Sequence, residues 1–232
     1  MFRVEDKYPC SPEDIALADA KLKIIMPSDV NEEDSAGYKI TSVYFDDWSD
    51  SSFTDNEDGV QIRKKYRIRI YNDSFDTIKL EVKRKQNSRI SKRSESISYD
   101  ECKALMLGIP IRSYQQDADS PVNEFNLGIK QALLRPKIIV EYDRKAYTFK
   151  SGNVRITLDQ NVRYSKDFKG FMNNNSCLYK FVLPVNNVIE VKYDELLPGF
   201  IAQTLETGSM IQDSYSKYKI CRMQESNPIC YL

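Results

Sequence analysis

Three tripeptides of the form Glu-x-Lys occur near the beginning, the middle and the end of the chain: Glu5-Asp6-Lys7, Glu81-Val82-Lys83 and Glu190-Val191-Lys192. Each falls in a predicted strand, where residues two apart lie on the same face of the sheet. Converging lysines and arginines offer donors for phosphate oxygens, and converging glutamates offer the hard oxygen ligands that Mg²⁺ and Mn²⁺ prefer. The repetition therefore indicates a site for a metal-bound polyphosphate group. The alternative is that each tripeptide forms a surface ion pair of little energetic value.

A basic segment follows an acidic one. Residues 29–58 hold ten carboxylates and one lysine, a balance of −9, whereas residues 63–93 hold twelve basic residues and three acidic ones, a balance of +9. Basic and apolar residues alternate along 63–71 and 78–85, which predicts two half-buried strands. Like charges opposite each other destabilise a hairpin, so the basic face favours a polyanionic partner. The alternative is two solvated faces of opposite sign that pair with each other.

Several chemistries are excluded by residues that the chain lacks. There is no histidine among the 232 residues, so Ser-His-Asp and Cys-His nucleophile pairs, His-ligated zinc and HExxH sites are all absent. None of the eight glycines is followed by lysine, which excludes a Walker A loop. The five cysteines are scattered without a CxxC pair, which favours reduced thiols in the cytoplasm. No apolar window approaches a membrane span, and the charged N-terminus does not fit a signal peptide.

The elements that would position these residues follow from patterning. The turn cluster Asn72-Asp73-Ser74 joins the two basic strands, and short β-branched or aromatic runs predict further strands. Capping and breaker residues predict helices over about 11–25, 99–107 and 123–134, and one or two helices within 198–223. Residues 166–177 are predicted to form a loose loop. No linker divides the sequence, so a single domain over 1–232 is the simplest organisation.

Eight short motifs also stand in a recognisable order along nearly the whole chain: Arg3-x-Glu5-x-Lys7-Tyr8, Tyr44-Phe45-Asp46, Arg67-Ile68-Arg69-Ile70-Tyr71, Leu80-Glu81-Val82-Lys83, Tyr142-Asp143-Arg144-Lys145-Ala146-Tyr147, Val154-Arg155-Ile156-Thr157-Leu158-Asp159, Ile189-Glu190-Val191-Lys192 and Ser214-Tyr215-Ser216-Lys217-Tyr218. Each motif is weak by itself. As an ordered set, the chain resembles the triphosphate tunnel metalloenzymes, a CYTH-like superfamily, and most closely their VTC branch, the polyphosphate polymerase domain.

This resemblance implies an α+β fold in which about eight antiparallel strands close into a barrel and form a tunnel, with helices packed outside. It implies a divalent metal, Mn²⁺ or Mg²⁺, held mainly by Glu190 with Glu5 and Glu81 nearby. The implied catalytic residues are Arg67, Arg69, Lys83, Arg144, Arg155 and Lys217. The implied substrate-binding residues are Lys7, Lys92, Arg93, Tyr142, Ser216 and Lys192.

The resemblance implies transfer of the γ-phosphate of ATP to a growing polyphosphate chain. A site of Arg, Lys, Glu and metal is sufficient for this chemistry without histidine, because phosphoryl transfer needs positioned charge more than a covalent nucleophile. Tunnel hydrolases usually begin with Glu-x-Glu-x-Lys, and Arg3 in place of the first glutamate favours the polymerase-like branch. Alternatives are an inorganic triphosphatase, a catalytically idle polyphosphate-binding module and, less favoured because Glu81 interrupts the basic face, a nucleic-acid-binding module. The expected partners are ATP, triphosphate or polyphosphate, and neither nucleic acid nor a membrane is expected. The sequence does not identify a protein partner.

Overall fold

The computed structural model describes residues 4–29, 37–86, 89–112, 120–173, 175, 177–206 and 210–226. Arg3, three carboxylates of the acidic segment (Glu32, Glu33 and Asp34) and Cys230 lie outside them. The fold is α+β. Its strands are β1 (Val4–Cys10), β2 (Tyr38–Asp46), β3 (Ile62–Tyr71), β4 (Ser74–Gln86), β5 (Arg89–Ile97), β6 (Arg135–Phe149), β7 (Val154–Ser165), β8 (Lys180–Phe181) and β9 (Asn187–Tyr193). Its helices are α1 (Pro12–Ile25), α2 (Ser51–Glu57), α3 (Tyr99–Met106), α4 (Pro121–Ala132), α5 (Phe168–Met172), α6 (Gly199–Leu205) and α7 (Lys217–Ser226).

The nine strands of the described ranges belong to one large sheet, ordered β1-β9-β7-β6-β2-β3-β4-β5 with β8 beside β7. Among the described residues, hydrogen bonds do not join β5 back to β1. The α+β class and the antiparallel sheet are therefore confirmed, whereas closure into a barrel is not and stays a prediction.

Contacts between Cα atoms divide the chain into two compact units. The first comprises Met1–Lys39, Glu141–Arg163 and Phe181–Lys217, and the second comprises Ile40–Val140, Tyr164–Lys180 and Tyr218–Leu232. The organisation of the whole chain as one domain stays a prediction.

In the first unit, β9 pairs antiparallel with both β1 and β7. Alternate residues of these strands, including Ile156, Leu158, Ile189 and Val191, are fully buried in an apolar core. Helix α1 packs against β9 and α6 and adds Leu22 to that core. Because side chains alternate along a strand, the residues between these apolar ones must point to the opposite face of the sheet.

In the second unit, β2, β3, β4 and β5 pair antiparallel in chain order. The turn between β3 and β4 has positive φ at Asn72 (50°) and Asp73 (55°), as a two-residue type I′ hairpin requires, so the sequence prediction of this turn is confirmed. One face of these strands packs on a core that α3, α4 and α5 complete. The other face carries most of the basic residues of these strands.

Asp46 ties the end of β2 to two helices of the second unit. Its side chain is fully buried, accepts hydrogen bonds from the backbone amides of Ser52 and Phe53 in α2, and accepts the Tyr218 hydroxyl of α7 at 2.6 Å. Burial raises the pKa of Tyr218, and the neighbouring Asp46 carboxylate raises it further, so the phenol stays a donor. The Tyr44-Phe45-Asp46 and Ser216-Lys217-Tyr218 motifs thus include a structural contact.

The sequence predicted most helices within a few residues. The predicted 198–223 region contains two helices, α6 and α7, while the segment 166–177, predicted as a loose loop, contains α5. That prediction was wrong for α5, which starts where the Asp167 carboxylate accepts the Gly170 amide. Among the described residues, Cys10, Cys102, Cys177 and Cys221 carry free thiols. No helix in these ranges is long and apolar enough to cross a membrane.

Ser11 is the N-cap of α1 and forms a capping box with Asp14: the Ser11 hydroxyl accepts the Asp14 amide at 3.1 Å, and the Asp14 carboxylate accepts the Ser11 amide at 3.1 Å. We expect Ser11→Ala to lower the free energy of unfolding by about 1 kcal/mol in urea denaturation, because an amide of the first turn loses its acceptor. Ser11→Asn should be close to wild type, since the amide oxygen can accept the same bond. Equal losses in both variants would contradict the capping assignment.

Candidate functional site

The first unit carries a charged face on β1, β9 and β7. The strand register places Glu5 opposite Lys192 and Lys7 opposite Glu190, and it continues from Glu190 to Thr157 on β7. Directly opposite residues of antiparallel strands point to the same face. Two of the three Glu-x-Lys tripeptides therefore pair with each other, so that every glutamate faces a lysine across the strands.

Glu190 is surrounded by basic groups at both carboxylate oxygens. Its Oε1 lies 3.1 Å from Lys217 Nζ and 3.8 Å from Lys7 Nζ, and its Oε2 lies 3.0 Å from Lys192 Nζ and 3.8 Å from an Arg144 nitrogen. The Glu190 side chain is only 8% exposed. A buried carboxylate is tolerated only when it is paired in this way, so the four cations are part of the fold as well as of any site.

Asp159 binds two of these cations, Arg144 and Lys217. It is completely buried, and Arg144 donates to its two oxygens at 2.6 and 2.7 Å in the bidentate geometry of guanidinium and carboxylate. Lys217 Nζ lies 2.5 Å from Asp159 Oδ2. Arg144 and Lys217 also lie 5.2 and 4.8 Å from the Tyr142 ring. We call Glu5, Lys7, Arg144, Asp159, Glu190, Lys192 and Lys217 the Glu190 cluster.

The burial of the Glu190 cluster shifts its proton equilibria. Burial alone would raise the pKa of Glu190, but the charges of Lys192, Lys217 and Lys7 outweigh it and hold that pKa well below the usual range. Burial likewise opposes the charge on Asp159, and Arg144 and Lys217 outweigh it and lower its pKa. Burial would lower the pKa of Lys217, but Asp159 and Glu190 raise it. All of these groups are therefore charged at neutral pH.

A second group of predicted residues comes together in the second unit. The Glu81 side chain is 2% exposed, with Arg67 Nε at 2.6 Å from Oε2 and Lys92 Nζ at 2.8 Å from Oε1. Burial would raise the pKa of Glu81, but Arg67, Arg69 and Lys92 outweigh it and lower it. Lys83 lies on the same face, because the register places it opposite Lys65 and Lys92. We call Arg67, Arg69, Glu81, Lys83 and Lys92 the Glu81 cluster.

Three predicted site residues lie differently. Arg93 stands opposite Val82 and therefore points to the other face of β5 from Lys92, so the pair cannot act together in the Glu81 cluster. Arg155 lies opposite Lys192, but its guanidinium binds Asp29 at 2.8 Å and the Tyr38 hydroxyl at 3.2 Å rather than a residue of the Glu190 cluster. Ser216 is half-buried beside Lys217.

Sequence reasoning missed the role of Asp159. It included Lys217 only through the family resemblance, and the structure buries Lys217 between two carboxylates. Lys217→Ala would leave Asp159 and Glu190 short of a cation, so Lys217 contributes to the stability of the fold as well as to any site. The sequence did carry a signal for Asp159, because Arg155, Thr157 and Asp159 are spaced two apart along β7 and therefore share a face.

A divalent cation has oxygen donors available in the Glu190 cluster, although no group of three or more acidic or Cys side chains across the described ranges is already arranged as a metal site. Glu5 and Glu190 face the same two ammonium groups and so point towards one place. The Thr157 hydroxyl, opposite Glu190, is buried and has no hydrogen-bond partner among the residues that the structure describes. Two carboxylates and an unsatisfied hydroxyl fit an ion that prefers oxygen, with phosphate oxygens or water as further ligands.

Comparisons with known proteins give one family and a set of similar solved structures. The family profile described as VTC domain matches residues 2–224. No curated protein sequence matches the chain. Among solved structures, the PH1819 protein of Pyrococcus horikoshii OT3 is 16% identical, with 97% of this chain and 99% of that chain covered and a TM-score of 0.48. The Mimivirus capping enzyme triphosphatase is 15% identical, with 88% and 87% covered and a TM-score of 0.39.

The lowered pKa values predict acid sensitivity. The carboxyl groups of Glu81, Asp159 and Glu190 bind protons near pH 4 in the unfolded chain but only at lower pH in the folded one. Their contribution to stability is therefore complete above about pH 5 and is lost as the pH falls further. We expect the urea midpoint to fall steadily from about pH 5 to pH 3. Glu81→Gln should make this fall shallower, and the exposed Asp58→Asn should not; a constant wild-type midpoint over this range would contradict the pairing.

Proposed function

The chain belongs to the VTC domain family, and on that premise we propose that it catalyses metal-dependent phosphoryl transfer on a triphosphate or polyphosphate, with polyphosphate synthesis from ATP as its reaction. The family match supports the general class of chemistry. The choice of synthesis over hydrolysis rests on the resemblance of its motifs to the polymerase branch and on Arg3 in place of a first glutamate.

The observation that carries the proposal is the composition of the Glu190 cluster. Four basic side chains, Lys7, Arg144, Lys192 and Lys217, meet three carboxylates on one face, which gives a formal balance of one positive charge. A structural ion network needs no such excess. A phosphate chain supplies the missing anion, and its oxygens suit both ammonium and guanidinium donors.

In the proposed reaction, a terminal oxygen of the acceptor phosphate chain attacks the γ-phosphorus of ATP. The bond from that phosphorus to the β–γ bridging oxygen breaks, and ADP leaves. Arg144 and Lys217, fixed by Asp159, stabilise charge on the transferring group because their positions are set before the substrate arrives. Lys7 and Lys192 bind phosphate oxygens. A divalent metal held by Glu190 and Glu5 would neutralise phosphate charge in addition.

The remaining predicted residues are part of the same proposal. The Glu81 cluster offers donors of the same kind, and Lys92 is about half exposed and so accessible to a ligand. Tyr142 and Ser216 would contribute substrate contacts beside Lys217. Arg155 and Arg93 lie outside the two clusters, and the proposal includes them as phosphate-binding residues. We also propose a cytoplasmic location, which agrees with the free thiols.

Incubation of the purified protein with ATP and Mn²⁺, followed by gel analysis, tests the function. We expect long-chain polyphosphate and an equal release of ADP. Glu190→Gln should reduce the rate about 10- to 100-fold, because a carboxylate that orders the lysines and would bind the metal is lost. Circular dichroism should show that this variant stays folded.

Glu141→Gln is the matched control, because Glu141 is also buried and ion-paired, to Arg163 at 2.7 Å, but lies outside the Glu190 cluster. It should retain wild-type activity. Orthophosphate release from tripolyphosphate without chain growth would assign a triphosphatase instead. Tight tripolyphosphate binding without turnover of either compound would assign a binding module. Undiminished turnover in excess chelator would remove the metal from the mechanism.

Competition distinguishes a phosphate-chain site from a nucleic-acid surface. Several cations of the Glu190 cluster lie within 4 Å of one carboxylate, so they can act together on a compact anion with closely spaced charges. We expect tripolyphosphate to bind much more tightly than a single-stranded oligonucleotide of matched charge at the same ionic strength. Displacement of bound tripolyphosphate by the oligonucleotide at comparable concentration would favour an open nucleic-acid-binding face.

A further inference from the structure

Two ammonium groups bridge the same pair of carboxylates in the Glu190 cluster. Lys7 Nζ lies 3.3 Å from Glu5 Oε1 and 3.8 Å from Glu190 Oε1. Lys192 Nζ lies 3.0 Å from Glu190 Oε2 and 3.9 Å from Glu5 Oε2. Each carboxylate therefore offers one oxygen to each lysine, and four ion pairs connect the four side chains in a ring. An ion that needs both carboxylates meets these lysines first.

The other two cations of the cluster are held differently. Arg144 and Lys217 are 9% and 7% exposed and bind the fully buried Asp159 as well as Glu190, so withdrawing either would leave a buried carboxylate short of charge. The side chains of Lys7 and Lys192 are 21% and 25% exposed. Lys7 also donates to the Tyr215 carbonyl at 2.9 Å, whereas the Lys192 ammonium group pairs, in the described part of the chain, with the carboxylates of Glu190 and Glu5. Lys192 is thus the more easily displaced.

We propose that Lys7 and Lys192 are internal counterions that exclude a divalent cation from Glu5 and Glu190 until a phosphate chain draws the two ammonium groups away. One divalent cation carries the charge of two ammonium groups, so the exchange keeps the charge around the two glutamates constant. The displaced lysines then neutralise the phosphate chain. This inference rests on the proposed function, since it assigns regulation to the same site.

The exchange makes the two ligands interdependent. A phosphate chain that binds the lysines exposes the glutamates, and a cation that binds the glutamates releases the lysines, so each ligand raises the affinity of the other by the same factor. The protein without a phosphate chain should bind Mn²⁺ weakly, although it contains suitable carboxylates. Removal of a lysine should strengthen that binding, which is the opposite of what the loss of a passive phosphate contact would do.

The test measures Mn²⁺ binding without any phosphate compound, by the loss of the free-ion signal in electron paramagnetic resonance. We expect Lys192→Met to bind Mn²⁺ at least about tenfold more tightly than wild type, because an ammonium group 3.0 Å from Glu190 no longer opposes the ion. Adding Glu190→Gln to this variant should abolish the gain. Lys7→Met should show a gain in the same direction, and near-UV circular dichroism should confirm that each variant is folded.

Lys145→Met is the matched control. Lys145 is also on a strand of the first unit, 18% exposed and paired with a carboxylate, Asp19 at 3.1 Å, but outside the cluster. It removes the same charge and should leave Mn²⁺ affinity unchanged. Wild-type affinity in both Lys192→Met and Lys7→Met would overturn the counterion role, and so would an equal gain in Lys145→Met. The proposed function fails separately, if wild-type protein with ATP and Mn²⁺ neither makes polyphosphate nor turns over tripolyphosphate.

Discussion

The burial of Asp159 is the constraint on which the first unit's site depends. A carboxylate with no exposure to water is stable only if cations come to it, and here Arg144 and Lys217 do so with short, well-directed contacts. Those two cations, once fixed, lie beside Glu190 and allow it to be buried as well. The burial of Glu190 thus depends on Arg144 and Lys217, and the positions of these two cations depend in turn on the buried Asp159.

The two clusters solve the same electrostatic problem with different degrees of enclosure. Both have a nearly inaccessible glutamate that two or more cations neutralise. In the Glu81 cluster, Lys92 is about half exposed, and neighbouring lysines face one another across β3, β4 and β5 without a carboxylate between them. In the Glu190 cluster, glutamate and lysine alternate across the strands. The first arrangement favours an anion from solution, and the second favours the exchange of one ion for another.

The sequence pattern predicted the strands and which residues of each strand share a face. It thereby identified most of the charged side chains on those faces. Glu5, Lys7 and Glu190 were identified because alternation along a strand is a local property. The burial of Lys217 could not be found in that way, because residues 210–216, just before α7, have no regular structure and a lysine at a helix start is ordinarily solvated. Lys92 and Arg93 were both candidates for substrate binding, and the register places them on opposite faces of β5, because adjacent residues of a strand alternate. Barrel closure is a long-range property that no local pattern specifies.

The absence of histidine, together with the direction of the pKa shifts, has a physiological consequence. The pKa values of Asp159 and Glu190 are displaced downwards and those of Arg144 and Lys217 upwards, all away from neutrality. The charge that these four residues present is therefore the same in a slightly acidified cell as in a slightly alkaline one. A protein built in this way does not sense proton concentration through these residues. The ion pairs that fix these four side chains therefore persist unchanged across the neutral range of pH.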